Sequence, residues 1–401
     1  MVQRPRPPKH WHSPEKREEA RRKRMEVQKN EFRLREYIRP DFGQDIFRQA
    51  PSVRLMPVEK DGVAPLGYHA MSIYPEYFKV GDEWILAEES RMDTVPVLTE
   101  KDGKKAVLTV EFRHLKVGDQ VILGRTEDGS EGIYVHPCGF SEGSRLHETF
   151  AFRQGKSRET AFSRDYDELY RVLQYEKEHG GYVVWVMGPA FAFDHDSRDA
   201  FSAIIDAGYV NAVLAGNALA THDLEGTYLE TALGQNIYTQ ENQPNGHYNH
   251  LDTINRVRHY GSVAKFIEEE KIDNGIIYHL EKNHIPYVLA GSIRDDGPLP
   301  PVFPNVYHAQ DAMREHVRKA TTVICMATTL HTIATGNMTP SFRVLPDGTI
   351  REVYFYCVDI DEFTVNKLSD RGSLSSRGIV TNVQDFIVNI ARGLNLPLSE
   401  N

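Results

Sequence analysis

The sequence predicts an α/β protein in which a parallel, Rossmann-like sheet follows a smaller β-rich domain. The main observation is a set of five short apolar runs after residue 181, which alternate with helical stretches. The runs are YVVWVM (182–187), AVLAG (212–216), YVLAG (287–291), TTVICMA (321–327) and VYFYCVDI (353–360). Near-continuous apolar strands separated by helices are typical of a parallel sheet that is covered on both faces.

The chain before this region has a different pattern. Short strands, among them GDEWILAEE and KKAVLTVEFRHL, are separated by Asp-Gly turns at 61, 102 and 128. We therefore predict a charged arm over 1–36, a small β-rich domain over 37–150 and an α/β domain over 151–401. The arm has twelve Lys and Arg against six Asp and Glu. It is expected to be a solvated, partly disordered helix or an oligomerisation arm, with a nucleic-acid-binding tail as the alternative.

The composition excludes several classes of protein. With a net charge of -10, the body of the chain is not built to coat nucleic acid or an anionic membrane. No apolar run approaches the roughly 18 residues that a membrane helix needs, and the N-terminus lacks the apolar segment of a secretion signal. The three cysteines are far apart and form no CxxC pair, which indicates a reducing compartment. We predict a cytoplasmic protein with no nucleic-acid or membrane partner.

Polar side chains cluster where the predicted strands end. In parallel sheets, ligands bind in the crevice beyond the carboxyl ends of the strands. After the second predicted strand, the stretch AGNALATHDLE brings Asn217, His222, Asp223 and Glu225 close together. Asn offers an amide for a ribose or nicotinamide group, and His and carboxylates can act as acid or base. The alternative is an N-capped helix with a polar face.

The stretch after the fourth predicted strand is the best candidate for a phosphate loop. Thr328, Thr329 and His331 open a predicted helix, whose first N–H groups and dipole suit a pyrophosphate. The glycine fingerprint GxGxxG is absent. The next strand, however, ends at Asp359 and Asp361, and an acidic residue in that position holds the ribose hydroxyls of a dinucleotide. Order and spacing therefore predict nucleotide binding.

His247 and His250 have a spacing that could bring two metal ligands together on a helix. A third ligand is not obvious, and hydrogen-bonding roles are commoner for His. We therefore predict no metal.

From about residue 145 to 395, the chain resembles the family named for the lysine-oxoglutarate reductase/saccharopine dehydrogenase (LOR/SDH) conserved domain. The matching words are VMGPA, AGNALATHDLE, GHYNHLDTIN, VLAGSIRDDGPLP, MATTLHTIATGNM, VDID and DRGS. Some members are NAD-dependent ornithine cyclodeaminases, and the family forms the C-terminal half of cyanobacterial arginine dihydrolase/ornithine cyclodeaminase. The resemblance implies that 151–401 is an NAD-binding catalytic domain. It also implies a sheet of the deoxyhypusine-synthase type, which would explain the missing glycines.

The resemblance further implies which residues contact NAD. They are Asn217, Ala218, Asp296, Thr328, Thr329, Leu330, His331, Asp359, Asn382 and Val383. At one of these positions the family usually has Asp, where this chain has Asn382.

The implied activity is the conversion of L-ornithine to L-proline and ammonia, with NAD taking and returning a hydride. In the stretch SIRDDG, Arg294 is expected to clamp the substrate carboxylate, because a planar guanidinium suits bidentate binding. Asp295 is expected to face the substrate amine; the alternative is an Arg–Asp pair that only pins the loop. The candidates for the base and the ammonium site are His222, Asp223, Glu225 and His247.

Two other functions stay open at this point. One is another NAD-dependent amino-acid enzyme of the opine or saccharopine dehydrogenase type, which would release NADH. The other is a non-catalytic NAD-binding protein. We also expect a homo-oligomer, either a dimer or a tetramer, with a small amino acid as substrate.

Overall fold

The computed structural model describes residues 32–140, 161–295, 297–362 and 373–398. Most of the predicted arm, together with Asp296, lies outside the described residues, so neither expectation is tested here. Within the described ranges, no helix is long and apolar enough to cross a membrane.

The first described range confirms a β-rich region before the parallel sheet. It contains one short helix, α1 (Asp45–Gln49), and seven strands. The strands are β1 (Arg54–Pro57), β2 (Glu76–Val80), β3 (Glu83–Leu86), β4 (Val95–Lys101), β5 (Lys104–Val110), β6 (Gln120–Leu123) and β7 (Ile133–Val135). They form an antiparallel sheet in the order β1-β6-β4-β5 and a second one in the order β3-β2-β7. Phe78, Ile122 and Ile133 are buried in a core of their own.

The remaining strands form one large sheet and two small hairpins. The large sheet consists of β8 (Val183–Met187), β9 (Ala212–Gly216), β12 (Tyr287–Ala290), β13 (Thr322–Met326), β16 (Tyr354–Asp359) and β17 (Ser375–Val380). The hairpins are β10 (Thr231–Ala232) with β11 (Gln235–Asn236), and β14 (Phe342–Val344) with β15 (Ile350–Glu352). The five predicted apolar strands of the sheet are therefore confirmed.

Nine further helices lie in the described residues. They are α2 (Ala161–Glu178), α3 (His195–Asp206), α4 (Asn217–Leu229), α5 (Asn249–Tyr260), α6 (Val263–Glu269), α7 (Ile276–Lys282), α8 (Val306–Val317), α9 (Thr329–Met338) and α10 (Val383–Gly393). They cover both faces of the large sheet, as the side chains of β8 show. Trp185 joins a core with Phe201 of α3 and Phe386 of α10, whereas the adjacent Val184 joins a second core with Met313 of α8.

The order of the strands in the large sheet is β12-β9-β8-β13-β16-β17, and all neighbours are parallel. Numbered along the chain, these six strands have the order 3-2-1-4-5-6, which is that of a Rossmann fold. The chain therefore changes its direction of progress between β8 and β13. In open α/β sheets the ligand crevice lies beyond the carboxyl ends of the strands at this switch point.

The sixth strand, β17, is not among the strands that the sequence predicts. Its sequence, SSRGIV, is mostly polar, and only Ile379 among its residues is fully buried. The reason is its position, since β17 is an edge strand that pairs with β16 alone. An edge strand does not need the apolar run that marks a central strand.

Ion pairs connect the β-rich region to helix α8. The Arg113 guanidinium donates two hydrogen bonds to the Asp311 carboxylate, and Arg314 Nε lies 2.7 Å from Glu111 Oε1. One turn further along the chain, Arg318 lies 3.2 Å from Glu89. These contacts fix the β-rich region against a helix of the large sheet.

A buried carboxylate joins three helices beneath the sheet edge. Asp223 of α4 is fully buried, and its Oδ1 accepts a hydrogen bond of 2.8 Å from Arg198 of α3. The same carboxylate accepts hydrogen bonds from the first two amides of α7, Ile276 N at 3.0 Å and Ile277 N at 2.7 Å. Asp223 thus neutralises a buried guanidinium and caps a helix in one interaction. This arrangement favours a structural role for Asp223 over the predicted role as a base.

We predict that Asp223→Asn lowers the free energy of unfolding by about 3–5 kcal/mol, because it leaves the Arg198 charge buried without a partner. Urea denaturation checks this value. Asp167→Asn, on the exposed face of α2, is the control and should change stability by less than about 0.5 kcal/mol. A stability equal to that of the control would mean that the buried pair does not hold α3, α4 and α7 together.

Candidate active site at the carboxyl edge of the sheet

The switch point of the sheet is marked by a close contact between two backbones. Gly188 follows β8, and its N–H donates a hydrogen bond of 2.9 Å to Met326 O at the end of β13. A Cβ on Gly188 would lie 1.9 Å from the carbonyl oxygen of Ala327. Ala327 itself has a φ of 53°, a left-handed conformation that is uncommon for a residue with a side chain. Only glycine fits at 188, and the strained Ala327 turns the chain from β13 into α9.

Two helices begin at this edge without a side-chain cap. Helix α4 starts after Gly216, which has no side chain that could cap it. Helix α9 starts after Thr328, whose hydroxyl accepts no hydrogen bond from the first turn. The first N–H groups of a helix have no partner within the helix. Free N–H groups and the positive end of the dipole make such a terminus a site for an anion. The residues predicted to contact NAD at Asn217, Ala218 and 328–331 lie at these two termini.

Other helices that follow strands of the sheet are capped by their own residues. The N-caps are Asp194 for α3, Asn305 for α8 and Asn382 for α10. Asn382 Oδ1 accepts a hydrogen bond of 2.8 Å from Gln384 N. Asn and Asp are about equally good N-caps, so the departure from the family pattern at this position preserves the cap. Val383 is the first residue of α10 and is buried.

His331 of α9 extends across the edge to the start of α4. Its ring lies over Gly216, where a Cβ would be 3.1 Å from His331 Cε1. Burial lowers the pKa of His331 below its usual value, and the nearby Asp295 carboxylate opposes this shift. The imidazole is therefore neutral at pH 7. Leu330, its neighbour, is exposed.

The loop after β12 folds back onto the same edge. Gly291 N donates to Phe303 O at 2.9 Å, and Leu299 N donates to Asn217 Oδ1 at 3.0 Å. Asn217 thus pins the loop to the start of α4, while its Nδ2 is not used in that bond. The loop brings the predicted substrate residues to the two uncapped helices.

Within this loop, the two described charged residues have different surroundings. Asp295 is half-buried, and its Oδ2 accepts a hydrogen bond of 2.8 Å from Ser292 N. Arg294 is exposed, and its guanidinium makes no hydrogen bond or ion pair with the described part of the chain. Arg294 therefore forms no ion pair with Asp295, while Asp296 lies outside the described residues. Ser292 holds Asp295 from both sides, because its N–H donates to the Asp295 carboxylate and its carbonyl oxygen accepts a hydrogen bond of 3.1 Å from Asp295 N.

Asp359 ends β16, next to β13 in the sheet. Its Oδ1 accepts a hydrogen bond of 3.0 Å from Asp361 N, and the side chain is half-exposed. Burial raises the pKa of the neighbouring Cys357 thiol to about 12, with a smaller contribution from the Asp359 charge. Asp359 therefore presents a carboxylate one strand away from the start of α9.

The second polar group of α4 is a buried His–Glu pair. His222 Nδ1 lies 2.8 Å from Glu225 Oε2, and the Glu225 side chain is fully buried. Ala218, His222 and Glu225 are four and three residues apart, so they lie on one face of the helix. The pair is therefore one turn along the helix from a predicted NAD contact.

Aromatic rings surround His222. The Phe193 ring meets it edge-on at 5.7 Å between centroids, and the His250 ring lies 6.1 Å away. His247 is exposed and packs on Tyr248 instead. The sequence suggests His250 only as a possible metal ligand. Its proximity to His222 depends on the packing of α4 against α5, which no local signal reveals.

The structure thus places most of the described candidates at one edge of the sheet. The arrangement offers two anion-binding helix termini, a carboxylate for hydroxyl groups, and a His–Glu pair for proton transfer. Among the described residues, no group of three or more His, Cys, Asp or Glu side chains could hold a metal ion.

Two protein-family models match the chain. The model described as "Arginine dihydrolase ArgZ-like, C-terminal, Rossmann fold" matches residues 167–390, and the one described as "Arginine dihydrolase ArgZ-like, C-terminal, first region" matches residues 75–160. The first match spans the whole parallel sheet, and the second begins within the β-rich region.

Curated relatives extend this similarity. The chain is 38% identical over 352 residues to ornithine cyclodeaminase from Methanocaldococcus jannaschii, and the aligned region covers 86% of this chain and 78% of that protein. It is 36% identical over 341 residues to the bifunctional arginine dihydrolase/ornithine cyclodeaminase ArgZ from Synechocystis sp., and the aligned region covers 84% of this chain and 46% of that protein.

Solved structures show the same similarity. A LOR/SDH protein from Methanococcus maripaludis S2 matches with a TM-score of 0.74 and 36% identity, over 86% of this chain and 98% of that one. AgrE, the Nostoc bifunctional enzyme, matches in its ternary complex with ornithine and NAD+. That match has a TM-score of 0.53 and 33% identity, over 86% of this chain and 46% of AgrE.

We predict that Gly188→Ala lowers the free energy of unfolding by about 1–3 kcal/mol, because the new methyl group forces β8 and Ala327 apart. Gly336→Ala in α9 is the control, since its Cβ would meet the Phe355 ring at an ordinary 3.5 Å. That change should leave stability equal or higher. Urea denaturation of both variants checks the prediction, and equal stabilities would contradict the close contact at the switch point.

Proposed function

The chain belongs to the family of arginine dihydrolase ArgZ-like C-terminal domains, and from this premise we propose that it is an NAD-dependent ornithine cyclodeaminase. The observation that carries the proposal is the pair of uncapped helices, α4 and α9, which begin at the ends of β9 and β13, the two strands beside β8. Such a pair suits the pyrophosphate of a dinucleotide. Relatives named ornithine cyclodeaminase, and a related enzyme solved with ornithine and NAD+, support the same assignment.

The reaction converts L-ornithine to L-proline and ammonia. Bound NAD supplies hydride transfer, by accepting a hydride from the substrate α-carbon and returning it to the cyclic imine that forms later. Between these events, the δ-amine attacks the imino carbon and ammonia leaves. The net reaction has no redox change, so the site has to hold a carboxylate, a δ-amine and a proton acceptor for the α-amine.

The residues at the edge fit a dinucleotide. The amides of Thr329, Leu330 and His331 would hold the pyrophosphate, and Asp359 would accept the hydroxyls of the adenosine ribose. Asn217 and Ala218 would contact the cofactor from the other uncapped helix. Asp296, Asn382 and Val383 stay in the proposal by family resemblance.

The loop after β12 would hold the substrate. Arg294 is exposed at the edge of the crevice and makes no ion pair with the described residues, so its guanidinium is available for the α-carboxylate. Asp295 would bind the substrate amine. Its backbone contact with Ser292 fixes the carboxylate in place before substrate binds.

His222 is the proposed base. Its Nδ1 is held by Glu225, which leaves Nε2 to accept a proton. Asp223 is used by Arg198 and α7, and His247 lies exposed on Tyr248, so neither is as well placed. Glu225 acts by orienting His222.

We also infer that the protein works in the cytoplasm as a homo-oligomer, a dimer or a tetramer. Cys138, Cys325 and Cys357 are free thiols, as a reducing compartment would keep them. Light scattering after size-exclusion chromatography measures the assembly directly.

The activity is tested by incubating the protein with NAD+ and L-ornithine. Ammonia and proline should form in equal amounts, and absorbance of reduced cofactor should not accumulate. Lysine and arginine serve as comparison substrates. Accumulating NADH would favour a dehydrogenase of the opine or saccharopine type. Binding of NAD without any turnover of the three amino acids would favour a non-catalytic protein.

We predict that Asp359→Ala weakens NAD binding by at least about tenfold, because it removes a charge-assisted bond to the ribose. NADP should bind more weakly than NAD to the unchanged protein, since the carboxylate repels a 2′-phosphate. Calorimetry measures both affinities. The control is Asp167→Ala on α2. An unchanged affinity in Asp359→Ala would remove this residue from the site.

We predict that Arg294→Ala and Asp295→Ala each lower kcat/KM by about two orders of magnitude, since each removes a charge-assisted contact to the substrate. NAD binding should stay within about twofold, because neither residue is proposed to contact the cofactor. Lys265→Ala, exposed on α6, is the control. Near-normal activity in both variants would make the loop structural and move the substrate site elsewhere.

A further inference from the structure

A line of hydrogen bonds runs from helix α5 to His222. Asn249 Nδ2 donates to Thr231 Oγ1 at 2.8 Å, and Thr231 Oγ1 donates to Glu225 Oε1 at 2.8 Å. Glu225 Oε2 in turn accepts from His222 Nδ1 at 2.8 Å. The four residues lie on α4, on the hairpin strand β10 and at the start of α5, and the sequence alone does not connect them.

The direction of these bonds is fixed by chemistry. An ionised carboxylate only accepts hydrogen bonds, so the single hydroxyl proton of Thr231 points to Glu225. Thr231 can then only accept from Asn249, which requires the amide nitrogen and not the amide oxygen to face it. Glu225 has used one oxygen on Thr231 and presents the other to His222. In the neutral imidazole, His222 Nδ1 therefore carries the proton and Nε2 has the free lone pair.

Burial makes the loss of any one of these hydrogen bonds costly. Glu225 is fully buried and Thr231 is 3% exposed, so water does not replace a lost bond at this carboxylate. A buried acceptor without a donor is costly, and the Thr231 hydroxyl supplies the donor for Oε1. Without it, Glu225 is free to rotate and His222 is free to change tautomer.

We propose that Thr231 and Asn249 are positioning residues of the ornithine cyclodeaminase reaction, which hold Glu225 so that His222 presents an unprotonated Nε2 to the substrate amine. The inference rests on the proposed function for its kinetic consequence. The tautomer itself is a property of the protein without substrate, so the two can be tested separately.

The first test is kinetic. Thr231→Val has nearly the same shape but no hydroxyl, and we expect it to lower kcat by about tenfold to a hundredfold, as losses of supporting partners do at other sites. KM for ornithine and the affinity for NAD should stay within about twofold, because neither ligand contacts Thr231. Thr231→Ser keeps the hydroxyl and should recover most of kcat. Thr239→Val, at an exposed threonine nearby, is the control.

The second test is spectroscopic and does not need activity. Long-range ¹H–¹⁵N spectra distinguish a protonated from an unprotonated ring nitrogen, and the His222 signals are identified by their loss in His222→Gln. We expect an unprotonated Nε2 in the unchanged protein and in Thr231→Ser, and a mixture of tautomers in Thr231→Val and Asn249→Ala.

A wild-type kcat in Thr231→Val, or an unchanged His222 tautomer in that variant, would overturn the proposal. If Thr231→Val does not fold, the tautomer in Asn249→Ala decides, and a retained single form would overturn it. If the unchanged protein makes no proline from ornithine while the tautomer responds as expected, the proposed function fails and the positioning of His222 stands.

Discussion

The fully buried Asp223 carboxylate is the interaction on which the rest of the site depends. It neutralises Arg198 of α3 and accepts the first amides of α7, so three helices share one anion. Helix α4 is fixed along its length by this contact. The same helix begins at the carboxyl edge of the sheet, after β9, and carries His222 and Glu225 on its next turns. A shift of α4 would therefore displace the proposed cofactor contacts and the proposed base together. Breaking the Asp223–Arg198 pair would be costly, so the pair holds α4 firmly in place.

At the carboxyl edge, some of the described helix termini have a capping side chain and others do not. Helices α3, α8 and α10 are capped by their own side chains, while α4 and α9 are not. An uncapped terminus lacks about 1 kcal/mol of stabilisation that a capping side chain gives. In the proposed site, a bound pyrophosphate would supply the missing acceptors. The left-handed conformation of Ala327, just before α9, is also costly. It persists because the surrounding structure holds it.

The charged groups in the middle of α4 serve different purposes. Asp223 and Arg198 form a closed pair whose bonding capacity is used inside the protein, so they hold the helices and take no part in chemistry. The His222–Glu225 pair is buried as well, but its outer nitrogen is not used in the pair. Arg294 is the opposite case, an exposed cation whose guanidinium makes no ion pair with the described residues. These groups differ in whether their polar atoms are already bonded within the protein, and not in residue type.

The sequence by itself determined the parallel sheet and the edge at which it binds ligands. Five of the six strands are apolar runs, so these strands and the polar stretches that follow them could be predicted locally. The strand β17 could not, because its sequence, SSRGIV, is mostly polar and gives no apolar run. Asp223 was predicted among the bases because its sequence neighbours are polar; its partners, 25 and 53 residues away, are found only by packing α3 and α7 against α4. Thr231 and Asn249 gave no signal for the same reason. Hydrogen bonds between distant side chains depend on how helices pack, and only the tertiary structure decides that.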